Sequence, residues 1–156
     1  MAEESSSNSE VFVYTEGAVV PEDVVRVSVH PSITIIPEEA FHKRQKLEEV
    51  ELCEGLLEIG KKALMECNVL TKITIPSTVT IIHKSAFDKC SRMNNVKFLE
   101  GGSLREIGEY AFNHCISLKS IRLPDSIEII GDVACNYTFY LSDSTNHFFT
   151  GELMFF

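Results

Sequence analysis

Nowhere in its 156 positions does the chain hold a run of eighteen apolar residues, which excludes a membrane-spanning helix. It is short of cations: 14 Lys and Arg stand against 23 Asp and Glu, a net charge of −9. Nucleic acid, whose phosphates need a basic face, is a poor partner for such a surface. The opening stretch, "MAEESSSNSE", has neither the basic flank nor the apolar segment of a secretory signal. Cysteine is sparse and odd in number: pairing among five would leave at least one thiol over, and no C-x-x-C occurs. Together these features favour a reducing, cytoplasmic setting. H-E-x-x-H, G-x-S-x-G, the P-loop and G-x-G-x-x-G are all missing. No catalytic residue, cofactor or metal site is therefore expected.

What the chain does have is repetition. Ile107 to Pro124 reads "IGEYAFNHCISLKSIRLP", and Ile59 to Pro76 reads "IGKKALMECNVLTKITIP"; seven of the eighteen positions are identical. The frame I-x-x-x-A recurs at Ala40, Ala63, Ala86, Ala111 and Ala134, at spacings of 23, 23, 25 and 23. A fixed period in this range marks a solenoid. One residue after each alanine stand Phe41, Leu64, Phe87, Phe112 and Cys135; four after it, Arg44, Cys67, Cys90 and Cys115; seven after it, Leu47, Leu70, Met93 and Leu118. Farther on, Val50/Leu52, Ile73/Ile75, Val96/Phe98 and Ile121/Leu123 alternate with polar residues, as in a half-buried strand.

Each part of the repeat has a local meaning. "IRL" predicts a short strand, which Pro76 and Pro124 end because proline donates no N–H. "SIEII" predicts a second extended piece. "EYAFNHC" sets Ala111, Phe112 and Cys115 on one face of a short helical turn. A lone coil buries its apolar columns on neither side, whereas stacked coils bury them on both.

The frame A-F-x-x-C-x-x-L-x-x-I-x-I/L-P-x-x-V/I-x-x-I-G resembles the BspA-type leucine-rich repeat. The resemblance implies a leucine-rich repeat solenoid of four to five coils, α/β or mainly β. It implies a right-handed coil with a parallel sheet on the inner face and short helical turns outside. It also implies a recognition module rather than an enzyme; family members include bacterial surface adhesins.

The outward columns of the inner sheet are the candidate partner-binding residues: Arg26, Glu49, Lys72, Asn95 and Ser120 in one, Glu51, Thr74, Lys97 and Arg122 in the other, where Ser28 also falls. With strands about 4.8 Å apart, Arg26, Glu49 and Lys72 alternate in sign and should pair across strands. Lys97 beside Arg122 sets like charges together, which a protein partner with an acidic segment would relieve. The recurring cysteines read as small core hydrophobes rather than ligands; Cys53, after a strand, is the more accessible thiol. "HKRQK", residues 42–46, resembles a basic nuclear localisation signal but reads better as a solvated edge.

Residues 1–10 are expected to be a disordered acidic and serine-rich terminus, 11–23 an N-terminal cap, and 24–136 the solenoid. Residues 137–156 form an aromatic tail. Phe148, Phe149, Leu153, Phe155 and Phe156 either fold back as an improvised lid, or the chain is a truncated remnant of a longer array, or the open edge drives self-association. The functional expectation is a non-enzymatic scaffold that binds a protein through its sheet face; the alternatives are the remnant or an adhesin-like surface protein.

Overall fold

A computed structural model describes residues 10–135 and the strand Glu152–Met154. Among these residues twelve short strands run in order: β1 (Val11–Tyr14), β2 (Arg26–Val29), β3 (Ile35–Ile36), β4 (Glu49–Glu51), β5 (Glu58–Ile59), β6 (Lys72–Ile75), β7 (Ile81–Ile82), β8 (Asn95–Phe98), β9 (Glu106–Ile107), β10 (Ser120–Arg122), β11 (Ile129–Ile130) and β12 (Glu152–Met154). The expected parallel solenoid is present, and each coil has three sides.

The first side carries β1, β2, β4, β6, β8 and β10. β1, β2 and β4 pair parallel in one ladder, and β6 pairs parallel with β8 in another; β4 lies beside β6, and β8 beside β10. β12 pairs antiparallel with β10, setting Leu153 opposite Ile121 and Glu152 opposite Arg122. Phe148, Phe149, Phe155 and Phe156, expected to join a lid, lie outside the described residues. The second side is a five-stranded parallel sheet in the order β3, β5, β7, β9, β11. Its strands are only two residues long, so one side chain of each enters the core and the other faces out.

On the third side the structure departs from the sequence expectation. Among the described residues there is no helix. Each coil instead makes a run of tight turns containing two left-handed residues: Glu39, Lys62, Ser85, Tyr110 and Val133 before each alanine, then Lys43, Glu66, Lys89 and His114 three after it, all with φ between 52° and 63°. A left-handed residue every four positions breaks the helical path. It also turns alternate N–H groups along the solenoid axis. Glu39, Phe41 and Lys43 donate to the carbonyls of Lys61, Ala63 and Met65, at 3.0, 2.8 and 2.9 Å. Later coils repeat the pattern, including Phe87 to Ala111 and Phe112 to Ala134. Alternate N–H groups of the turns are thus satisfied by the next coil, and those between them within their own coil: Ala40, His42 and Arg44 donate to the carbonyls of Pro37, Glu39 and Phe41.

The periodic columns form the core. Ala63, Ala86, Ala111 and Ala134 are fully buried in one row, and Phe41, Leu64, Phe87 and Phe112 in the next. The Phe87 and Phe112 rings stack with centroids 5.1 Å apart, and Tyr14 meets Phe41 edge-on at 5.0 Å. Gly108 is required by close approach rather than by conformation. A Cβ there would lie 2.5 Å from the Lys84 nitrogen and 2.8 Å from the His83 carbonyl carbon, inside van der Waals contact.

Candidate binding face

The candidate residues fall on the outward side of the first-side strands. There, inward Val27, Val50, Ile73, Val96 and Ile121 are buried, and the residues flanking them face solvent or are half-buried. Register places Arg26 opposite Glu49 and Ser28 opposite Glu51; Lys72 lies opposite Asn95, and Thr74 opposite Lys97. The cross-strand pairing expected of Arg26, Glu49 and Lys72 is realised in its first half. Arg26 Nε lies 3.6 Å from Glu49 Oε2, both about half exposed, and the Ser28 hydroxyl donates to Glu51 at 3.1 Å. Lys72 makes no ion pair among the described residues, nor does Lys97. Arg122 is exposed and has Glu152 in register on its far side, so the row of Lys97 and Arg122 continues to an acidic position. Ser120 is half-buried at the start of β10. The face thus divides into an internally paired end (Arg26, Glu49, Ser28, Glu51) and a middle where Lys72 and Lys97 stand without a carboxylate.

The recurring thiols are buried hydrogen-bond donors. Cys67, Cys90 and Cys115 donate to the carbonyls of Phe41, Leu64 and Phe87 in the coil before, at 3.1, 3.2 and 3.2 Å. Burial pushes the Cys67 thiol up to about 12 and raises Cys90 and Cys115 as well, so none of them is a ready thiolate. All five cysteines are free, with Cys53 the half-buried one. Arg44 occupies the same column in the first full coil and takes over the donor role there. Its guanidinium reaches the Val20 carbonyl at 3.0 Å and that of His42 at 3.1 Å. Within residues 42–46, then, Arg44 turns inward while Lys43, Gln45 and Lys46 are exposed. No group of three His, Cys, Asp or Glu among the described residues is arranged to hold a metal ion. Nor is any helix there long and apolar enough to cross a membrane.

Two features escaped the sequence reading. One is the outward column of the second sheet, Ile35, Glu58, Ile81, Glu106 and Ile129, which alternates isoleucine with glutamate. Its signal was present, since each residue immediately precedes the isoleucine of I-x-x-x-A. The other is a polar cluster in the third-side turns: the buried Asn113 amide donates to the buried Asp88 at 2.9 Å, and the exposed His114 lies 3.4 Å from the same carboxylate oxygen. Nothing in the period foretells it, because the column holds His42, Met65, Asp88 and Asn113 in turn.

The profile described as "BspA type Leucine rich repeat region" matches residues 22–146 in six copies. A leucine rich cell surface protein from Faecalibacterium prausnitzii A2-165 is similar at 30% identity and a TM-score of 0.62, over 71% of this chain and 30% of its own. The T. pallidum leucine rich repeat protein is similar at 27% identity and a TM-score of 0.66, over 78% of this chain and 56% of its own. A leucine-rich repeat protein from Bacteroides ovatus is similar at 29% identity and a TM-score of 0.56, over 70% and 30% of the two chains. The chain thus spans about a third to about half of the length of these relatives. A search of curated proteins finds no match. Proteins of this repeat class are in general protein-interaction modules, and no catalytic family matches. Period, three-sided coil and profile agree: the chain belongs to the BspA-type leucine-rich repeat family.

Proposed function

We propose that the chain is a non-enzymatic recognition module that binds an extended protein segment across the first-side strands, with acidic residues of that partner meeting Lys72 and Lys97. The observation that carries this reading is the exposed, unpaired state of those two lysines among the described residues, beside a neighbouring end that is already paired. Lys72 and Lys97 lie diagonally across paired strands, within reach of alternate residues of one strand-like peptide. Thr74 and Asn95 complete the square with neutral donors and acceptors. Six strands give a platform roughly 29 Å along the axis at ~4.8 Å each, which suits a modest interface near the low end of ~1,200–2,000 Å².

The reading is tested with a fluorescent peptide alternating glutamate and valine. The unmodified chain binds it, and K72E/K97E weakens binding about tenfold, a loss near 1.4 kcal/mol. Equal binding by both forms overturns it. Five free thiols, three of them structural donors, support a reducing, cytoplasmic setting. A second reading, a surface adhesin, rests on the printed description of the F. prausnitzii relative as a cell surface protein. Recovery of the native protein from the cell exterior would favour it.

A further inference from the structure

The second sheet has an outward face of its own, one side of the coil away from the lysines of the first. Its strands put Ile81, Glu106 and Ile129 directly beside one another in register, at about 4.8 Å per step. Ile129 is 55% exposed, and Glu106 and Ile81 are half-buried. With Thr80, Arg105 and Glu128 they line a shallow groove of about 490 Å³. Glutamates elsewhere on this side have partners: Glu58 meets His83 at 2.8 Å and Glu128 meets Arg105 at 3.4 Å. Glu106 makes no ion pair or side-chain hydrogen bond among the described residues. Glu106 is thus a carboxylate without a partner among the described residues, set between one solvent-facing isoleucine, Ile129, and one half-buried one, Ile81.

We propose that this groove is a second binding surface, specific for an extended peptide segment carrying a lysine or arginine among aliphatic residues. The cation would meet the Glu106 carboxylate while its methylene stem lies on Ile81 or Ile129, as long basic side chains do at apolar surfaces. Charge complementarity selects this occupant: the groove's unpaired charge is negative, and so is the chain, at −9. The chain's own outlying segments do not supply the cation, since residues 1–9 and 136–156 contain neither lysine nor arginine. The site differs in face and in sign from the lysine pair on the first side, so the two readings stand or fall separately.

The probe is a fluorescein-labelled peptide alternating valine with lysine, titrated by polarisation and mapped by amide chemical shifts. Binding is expected to move the amides of Ile81, Glu106 and Ile129. E106K should weaken it about tenfold, and I129S should weaken it as well, while K72E/K97E leaves it unweakened. A matched peptide alternating serine with lysine should bind less tightly. The proposal is overturned if the valine–lysine peptide does not bind, if E106K leaves its affinity unchanged, if the shifts map to Glu49 and Glu51, or if the serine peptide binds equally well. Circular dichroism of E106K and I129S, both changed on the outward side of the second sheet, confirms that a loss is not unfolding.

Discussion

Single residues carry two kinds of duty in this chain, and the cysteines and glutamates separate them. Each column thiol fills core volume and also satisfies a carbonyl of the coil before it. Arg44 does the second duty at the N-terminal end, where its guanidinium reaches the Val20 carbonyl. The outward carboxylates, exposed at Glu39 and Glu54 and half-buried at Glu66, work through ladders of their own. The backbone N–H of Ser77 holds Glu54 below its ordinary value of 4.5, and hydrogen bonds from Lys62 and Lys89 do the same for Glu39 and Glu66. A carboxylate whose folded value lies below its unfolded one adds stability that is whole above 4.5 and vanishes as pH falls through the lowered value. The thermal midpoint is therefore expected to hold from neutrality down to about pH 5 and to drop below 4.5. Glu54→Gln should have a lower midpoint at pH 7 and a shallower acid decline; a variant whose acid decline matches the parent's removes Glu54 from this account.

Among the elements, those with period 2 were the ones legible in advance. Val50, Ile73, Val96 and Ile121 announce strands because alternate positions must be apolar, and the structure places them so. The turn side was misread as helical for a physical reason. Spacing Ala111, Phe112 and Cys115 at one, two and five satisfies a helix face, but it equally satisfies a turn run whose inward residues recur in that order. What decides is the backbone sign at Tyr110 and His114, and no residue type there is glycine to give it away. Glycine was informative in the opposite sense, as a marker of contact. Gly108→Ala sets a methyl against Lys84 and His83 backbone atoms that cannot rotate aside, and should cost about 1–3 kcal/mol. His83→Ala, at the same place one coil earlier, loses only a partly exposed pair and should cost less than about 1 kcal/mol. Denaturant midpoints compare the two, and equal losses would refute close approach as the reason for Gly108. The binding columns were legible as positions, but their pairing was not: that Glu49 spends its charge on Arg26 and leaves Lys72 alone follows from side-chain geometry.

Taken whole, the molecule is a stack in which each coil meets only its neighbours, so stability should be graded along the axis. Native-state hydrogen exchange is expected to be slowest in β5, β7 and β9 with their adjoining turns, and faster toward β1 and β11; uniform protection would mean that the coils open as one block. The turn-side ladder adds a directional property. Every one of its bonds runs from an N–H of one coil to a carbonyl of the coil after it. One rim of any described coil is thus a row of donors on that side, and the opposite rim a row of acceptors. A unit inserted upside down would face donors with donors, so such an array can lengthen only by copying units in the same sense. The echo of Ile59–Pro76 in Ile107–Pro124, identical at seven of eighteen positions, is the kind of record that tandem duplication under this constraint leaves behind.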